Sequence, residues 1–290
     1  MRTKFTPNPQ AAQQKQAEAL TLLEQGIQNL ATDQNWLQYL KVQSSFHQYS
    51  FNNVLMIVSQ FPEATRVAGY RAWQAMNRQV KKGERGIVIL APMVFKTEDK
   101  QSGDTVTLTR FKTASVFDIS QTEGEELPEL CATLRGEDEG LLSALESYAT
   151  SLSIPVERDS SLGEVNGVCR FLPDQRIKIE INPLRAQRHQ AKTLAHELGH
   201  ALMHTAEEYR THSAKSQREL EAESVAFVVL SSFGLDSGDY SFAYIADWSG
   251  GSAEAITQLK ESGRRIQQAA HQIIEGVDAQ MHGEDALWVA

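Results

Sequence analysis

The run Lys192-Thr193-Leu194-Ala195-His196-Glu197-Leu198-Gly199-His200-Ala201-Leu202-Met203-His204 constrains this chain more than any other stretch. Leu194, Leu198, Ala201 and Leu202 recur at helical spacing, so the run reads as an amphipathic helix. Residues four apart on a helix lie one turn above each other. His196 and His200 can therefore present imidazole nitrogens to one ion, while Glu197 leans towards its bound water. That is the apparatus of a zinc hydrolase, with Zn2+ the expected ion and another divalent metal such as Mn2+ an alternative. A surface helix carrying two solvated histidines is the bland reading of the same residues. The preceding segment speaks against it. Arg176 to Ile181 alternates polar and apolar like a half-buried strand, and Asn182-Pro183 ends it, so a strand feeds directly into the metal helix.

With 290 residues, 41% of them hydrophobic, the chain can build more than one core, and two domains are expected. No apolar run approaches the roughly 20 residues that span a bilayer, and the first residues lack the apolar region of a signal peptide. The expectation is a cytoplasmic protein without a membrane partner. Cys131 and Cys169 have no paired metal-binding spacing and read as reduced thiols. Charge is divided unevenly. Residues 1–113 carry fourteen Lys and Arg against eight Asp and Glu, and the rest carries fourteen against twenty-nine. A basic first part points to a polyanion partner.

Taken in order, Pro9 to Ala31 repeats apolar residues at helical spacing, Thr32-Asp33 can cap a second helix, and Phe51 to Val58 begins a third after the pattern breaks at 44–50. Tyr49, Asn52 and Asn53 stand at its entrance, where exposed amides can bind phosphates or bases and capping is the duller option. A short strand and a helix from about Tyr70 follow, then a basic turn at 81–86. Strands are expected at 87–91, 105–111 and 115–119, with Lys100 to Asp104 as a hairpin turn. Arg66, Arg71, Arg78, Lys81, Lys82 and Arg85 beside Tyr70 and Trp73 are the mixture of cations and aromatic faces that single-stranded nucleic-acid binders use. Alternatively, Tyr70 and Trp73 are core and the basic run is a solvated turn.

The fold class expected is α+β in two domains. Residues 1–124 form a nucleic-acid-binding α+β domain, 125–140 an acidic linker, and 141–290 a zincin-like metallopeptidase domain. A zinc hydrolase needs a third protein ligand. His204 is one turn past His200, and three ligands stacked on one straight helix cannot converge, so it reads as a neighbour. Ser216 to Phe233 is an apolar helix with Glu219, Glu221 and Glu223 in its first turns. Glu219 and Glu223 share a face and Glu221 does not, and periodicity alone does not choose. The pattern Glu221-Ala222-x-Ser224-x-x-Phe227 resembles the third-ligand helix of thermolysin-like gluzincins, which implies Glu221, with Glu223 second.

A wider resemblance covers most of the chain. Tyr49 to Asn53, Thr65 to Trp73, Val80 to Pro92 and Val116 to Thr122 look like the N-terminal domain of ArdC-type antirestriction proteins. His196-Glu-Leu-Gly-His200 and Glu219 to Ala226 are similar to their zincin-like domain and to the ImmA/IrrE group, although that group commonly has Asn where Glu223 stands. The resemblance implies single-stranded DNA binding, a metal-bound second domain, and protection of incoming plasmid DNA during conjugation. His196, His200 and Glu221 would hold the ion and Glu197 would act as general base. DNA-associated proteins or restriction enzymes are the expected substrates. Tyr240, Tyr244 or Asp247 could assist an oxyanion or orient a ligand. The rival expectation is a non-catalytic shield of single-stranded DNA, or a restriction-enzyme-binding protein, whose metal site is structural.

Overall fold

Apolar positions repeating at three and four produce most of the helices of this computed structural model, which describes residues 9–30, 32–98, 105–127, 140–210, 215–235 and 252–282. In chain order the first elements are helices α1 (Pro9–Asn29), α2 (Asp33–Ser45) and α3 (Phe51–Gln60), strand β1 (Val67–Gly69), helix α4 (Tyr70–Ala75), and strands β2 (Arg78–Val80), β3 (Ile87–Glu98), β4 (Thr105–Asp118) and β5 (Thr122–Gly124). Then come α5 (Leu141–Ser151), β6 (Val156–Arg158), β7 (Gly167–Phe171), β8 (Ile177–Ile181), α6 (Gln187–Met203), α7 (Ala206–Arg210), α8 (Lys215–Ser232) and α9 (Ala253–His282). The architecture is mixed helix and strand, as expected. No helix among the described residues is long and apolar enough to cross a membrane.

The chain folds as two units, residues 1–29 with 52–127, and residues 30–51 with 128–290. This division by packing differs from the expected first-domain range of 1–124 at α2, which packs with the second unit. Trp36 and Tyr39, fully buried on α2, explain the assignment: Trp36 Nε1 donates to Ser224 Oγ on α8 at 3.1 Å. An internal segment that crosses between units leaves no composition shift to read. Of the expected linker only 125–127 and Gly140 fall within the described residues; Cys131 and the Lys100 to Asp104 turn lie outside them.

In the first unit β1, β4 and β3 form an antiparallel sheet in that order, and β2 pairs with β5. The expected break between 111 and 115 is absent. β4 is one strand, in register with β3 from Ile87↔Val116 to Glu98↔Thr105, since Lys112-Thr113-Ala114 contains nothing that interrupts a ladder. The first part of the other edge of β3 is capped by side chains. Asn53 Nδ2 donates to the Leu90 carbonyl and Asn53 Oδ1 accepts from the Leu90 amide, both at 2.9 Å. Gln60, two turns along α3, makes the same pair of bonds to Val88 at 2.8 and 3.0 Å.

In the second unit β8 lies between a parallel β6 and an antiparallel β7. Helix α6 packs on this sheet with one face and on α8 and α9 with others, which buries Leu194, Ala195 and Leu198 completely. Gly199 lets α6 and α8 close up, for a Cβ there would stand 3.2 Å from Ala222 Cα. The long helix α9 escaped the sequence reading, although Leu259, Ile266, Ala270, Ile273 and Val277 bury a stripe at helical spacing.

Candidate metal centre and nucleic-acid interface

On α6, one turn separates His196 from His200, and their Nε2 atoms lie 3.1 Å apart. Two nitrogens facing each other so closely need a cation or a proton between them. Across from them on α8, Glu219 Oε2 lies 3.4 Å from His196 Nε2 and 3.6 Å from His200 Nε2. The three atoms belong to a group that can hold a metal ion. A triangle with these sides has a point about 2 Å from every corner, the bond length of zinc to imidazole nitrogen or carboxylate oxygen. The donor set fits a divalent ion.

Glu221, the expected third ligand, is corrected by this geometry. Its Oε2 lies 2.9 Å from His204 Nε2, and its Oε1 accepts from Ser262 Oγ on α9 at 2.6 Å. Arg265 adds an ion pair at 3.1 Å. The reason is the helical repeat: Glu219 and Glu223 share the α8 face turned to α6, and Glu221 points towards α9. Glu223 does reach His196, but at the outer nitrogen. Its Oε2 lies 3.1 Å from His196 Nδ1, and its Oε1 is bound to Lys192 Nζ at 2.8 Å.

Both imidazoles are thus held from behind. Glu223 holds Nδ1 of His196, and His204, fully buried at the end of α6, holds Nδ1 of His200 at 2.9 Å. Hydrogen bonds of this kind fix the ring tautomer and aim the other nitrogen. The sequence reading set His204 aside as a neighbour; its spacing of four from His200 was the available signal. Burial acts to lower His196, but hydrogen bonds to Glu219 and Glu223 outweigh it and lift the ring to about 9. Burial pushes His200 down to about 4. Hydrogen bonds from both rings hold Glu219 well below the usual carboxylate range.

Glu197, next to His196 on α6, is buried, and burial raises its carboxyl to about 7, against the pull of His196 and of the Cys169 amide on β7. Cys169 itself is buried, its thiol pushed up to about 12 by burial and then by Glu197. Tyr240, Tyr244 and Asp247 lie outside the described residues.

The residues expected to meet nucleic acid divide. Trp73 is fully buried and donates from Nε1 to the Phe117 carbonyl at 2.9 Å, so it is core and not a stacking platform. Asn53 is spent on the β3 edge. Tyr49 belongs to the second unit, half-buried edge-on against Phe46. Asn52 and Arg66 are half-buried in the first unit, the Arg66 amide bonded to Asp118 Oδ2 at 3.0 Å. Tyr70, Arg71, Lys81, Lys82 and Arg85 are exposed. Tyr70, Lys81 and Lys82 line a groove with Gln79 and Phe117. The β3–β4 ribbon adds exposed Phe95 and Phe111 among Lys96, Arg110 and Lys112, which the sequence reading passed over. Alternation along two paired strands was the signal.

Residues 10–126 match the family model of the N-terminal domain of the anti-restriction factor ArdC, and residues 154–231 match that of the IrrE N-terminal-like domain, Peptidase_M78. The chain belongs to the ArdC-type antirestriction family. The antirestriction ArdC protein of plasmid R388 shares its fold in a metal-free crystal structure, at a TM-score of 0.52 and 23% identity over 79% of this chain and 85% of that one. A Mn(II)-bound structure of the same protein aligns at a TM-score of 0.48 and 20% identity, over 82% and 97%. The uncharacterized Bacillus anthracis protein pXO2-81 is 22% identical over 95% of this chain, which spans about half of that relative's length (54%). The second unit of this ArdC-type chain therefore carries a metallopeptidase-like domain.

Proposed function

We propose that the chain is a divalent-metal peptidase joined to a single-stranded-DNA-binding unit, and that it protects incoming DNA from restriction during conjugation. One observation carries the enzymatic part: His196 Nε2, His200 Nε2 and Glu219 Oε2 converge while both outer ring nitrogens are separately held. His196, His200 and Glu219 would hold the ion. Zinc is the ion we assign, with manganese second, because two imidazoles and a carboxylate suit a borderline cation. A bound ion supplies Lewis-acid activation of water and of a carbonyl oxygen.

The chain's own residues do the rest. Glu197, raised to about 7, takes a proton from the attacking water as the C–O bond forms and returns it to the amine as the C–N bond breaks. An extended peptide is the substrate shape that fits. β7 pairs only with β8 among the described strands, its Cys169 amide reaches Glu197, and an added strand draws affinity from main-chain hydrogen bonds.

In the first unit, exposed Tyr70, Arg71, Lys81, Lys82 and Arg85 provide cations beside an aromatic face, which supports binding of single strands. Such binding would concentrate the peptidase on DNA-associated proteins or restriction enzymes. The non-catalytic shield is the second reading, favoured by this patch because it needs no metal. Glu197→Gln separates the two. The peptidase reading expects loss of cleavage and of antirestriction with metal and DNA binding retained; full antirestriction in the variant would establish the shield instead.

A further inference from the structure

Helix α9 turns one stripe of residues, spaced by four, towards the connection between α2 and α3. Gly263 lies under Phe51, where a Cβ would stand 2.2 Å from the ring. Gln267 Nε2 donates to the His47 carbonyl at 3.0 Å. His271 Nδ1 faces His47 Nδ1 at 3.1 Å, the rings 5.4 Å apart between centroids and inclined by 31°. Glu275 Oε1 completes the stripe, 3.8 Å from His47 Nδ1 and 4.0 Å from His271 Nδ1. Asp278, buried less than a turn further on, acts on His47 by its charge.

A hydrogen bond between the two imidazoles accounts for the first of these contacts and leaves the others unexplained. Glu275 is 42% exposed as a side chain, yet its Oε1 is sealed from solvent and has no hydrogen-bond partner among the described residues. Buried carboxylate oxygens are almost always satisfied, because leaving one bare costs its hydration. The three atoms lie close enough together to share an ion. A triangle of 3.1, 3.8 and 4.0 Å has a point about 2.1 Å from each corner, where a zinc-like cation sits among imidazole and carboxylate donors.

We propose that His47, His271 and Glu275 form a second divalent-cation site, separate from the α6–α8 centre. Two imidazoles with one carboxylate select a zinc-type ion over magnesium or calcium, which prefer all-oxygen shells. The donors come from two places in the chain, so the ion acts as a clip. It fastens the segment at which the chain leaves the second unit, just before Phe51, to the middle of α9. Asp278 acts on His47 by charge and is not one of the three converging donors; because these donors tie together segments 224 residues apart, the role we assign to the ion is structural.

The test uses the full chain, stripped by a chelator and reloaded with zinc, in a His196→Ala/His200→Ala background that removes the first centre. Bound zinc is counted by mass spectrometry, and melting is followed with and without the ion. One zinc per chain and a zinc-dependent rise in Tm are expected. Glu275→Gln, which keeps the side chain's shape, should lose both while melting like its parent in chelator; His271→Ala should behave alike. Absence of bound zinc in the double variant, or zinc retained after Glu275→Gln, overturns the proposal. If the double variant does not fold, the count in otherwise wild-type protein decides: Glu275→Gln must lower it by one. A wild-type chain that binds one ion and loses it on Glu275→Gln would refute the first centre and leave this one standing.

Discussion

His204 Nε2 lies 2.9 Å from Glu221 Oε2, and the proton positions on one side of the metal centre follow from that contact. Burial would raise Glu221, but hydrogen bonds from His204 and Ser262 and the charge of Arg265 outweigh it and keep the carboxyl ionised. An ionised carboxylate only accepts, so His204 donates from Nε2, and as a neutral ring it accepts at Nδ1. His200 then donates from Nδ1, 2.9 Å away, which leaves a lone pair on Nε2 facing His196 and Glu219.

Removing the support should therefore weaken the centre without destroying it. His204→Ala and Glu221→Gln are expected to lower zinc affinity by about 10 to 100-fold, as loss of a ligand's hydrogen-bond partner does elsewhere. Glu219→Ala removes a donor and should cost more than either. Competition against a chromophoric chelator measures all three; an ordering with Glu221→Gln worse than Glu219→Ala would restore Glu221 as the ligand.

Zinc affinity should depend on pH through one group. His196, lifted to about 9 without metal, holds a proton at neutral pH that the ion must displace, whereas His200 near 4 and the depressed Glu219 hold none there. A raised pKa in the metal-free protein means that affinity falls as pH falls below that value, by about tenfold per pH unit for one proton. Titrations between about pH 6 and 8 in a Glu197→Gln/Glu275→Gln background isolate this centre and remove Glu197, which titrates near 7. A flat profile, or a slope of two, contradicts the assignment.

Trp73 and Tyr70 sit three residues apart and should behave oppositely. Trp73→Ala empties a fully buried site and is expected to cost about 3 to 5 kcal/mol of stability. Tyr70→Ala should leave Tm nearly unchanged and weaken single-stranded DNA binding by about 1 to 3 kcal/mol, the loss of one stacked base. Denaturant melts and fluorescence anisotropy with an oligonucleotide separate the two effects. Unchanged DNA affinity for Tyr70→Ala would move the interface elsewhere, with Phe95 and Phe111 the next residues to substitute.

The metal helix was legible because its motif is local: spacing by four brings His196 and His200 together without help from the rest of the fold. The third donor was not, because three glutamates within five residues present two faces, and what meets each face depends on how α6, α8 and α9 pack. The sequence showed that Glu219 and Glu223 share a face; the likeness to another peptidase helix pointed to Glu221 instead. His47 and His271 are 224 residues apart, beyond the reach of any spacing rule. Trp73 beside a basic run reads equally as platform or core, since burial is a property of the folded chain. The three-residue strands β1, β2, β5 and β6 are held by neighbours in the sheet and leave little pattern of their own.

The paired amides of Asn53 and Gln60 act on the β3 margin as a surrogate strand. A bare row of carbonyls and amides beside exposed Val94 and Phe95 would invite another chain to extend the sheet, the usual route to aggregation. With Leu90 and Val88 already satisfied from α3, a newcomer could run the length of this margin only by displacing four hydrogen bonds. Asn53→Ala should cost about 1 to 3 kcal/mol for the bare Leu90 groups and, beyond that loss of stability, make the first unit sticky at concentration, an outcome that light scattering would register.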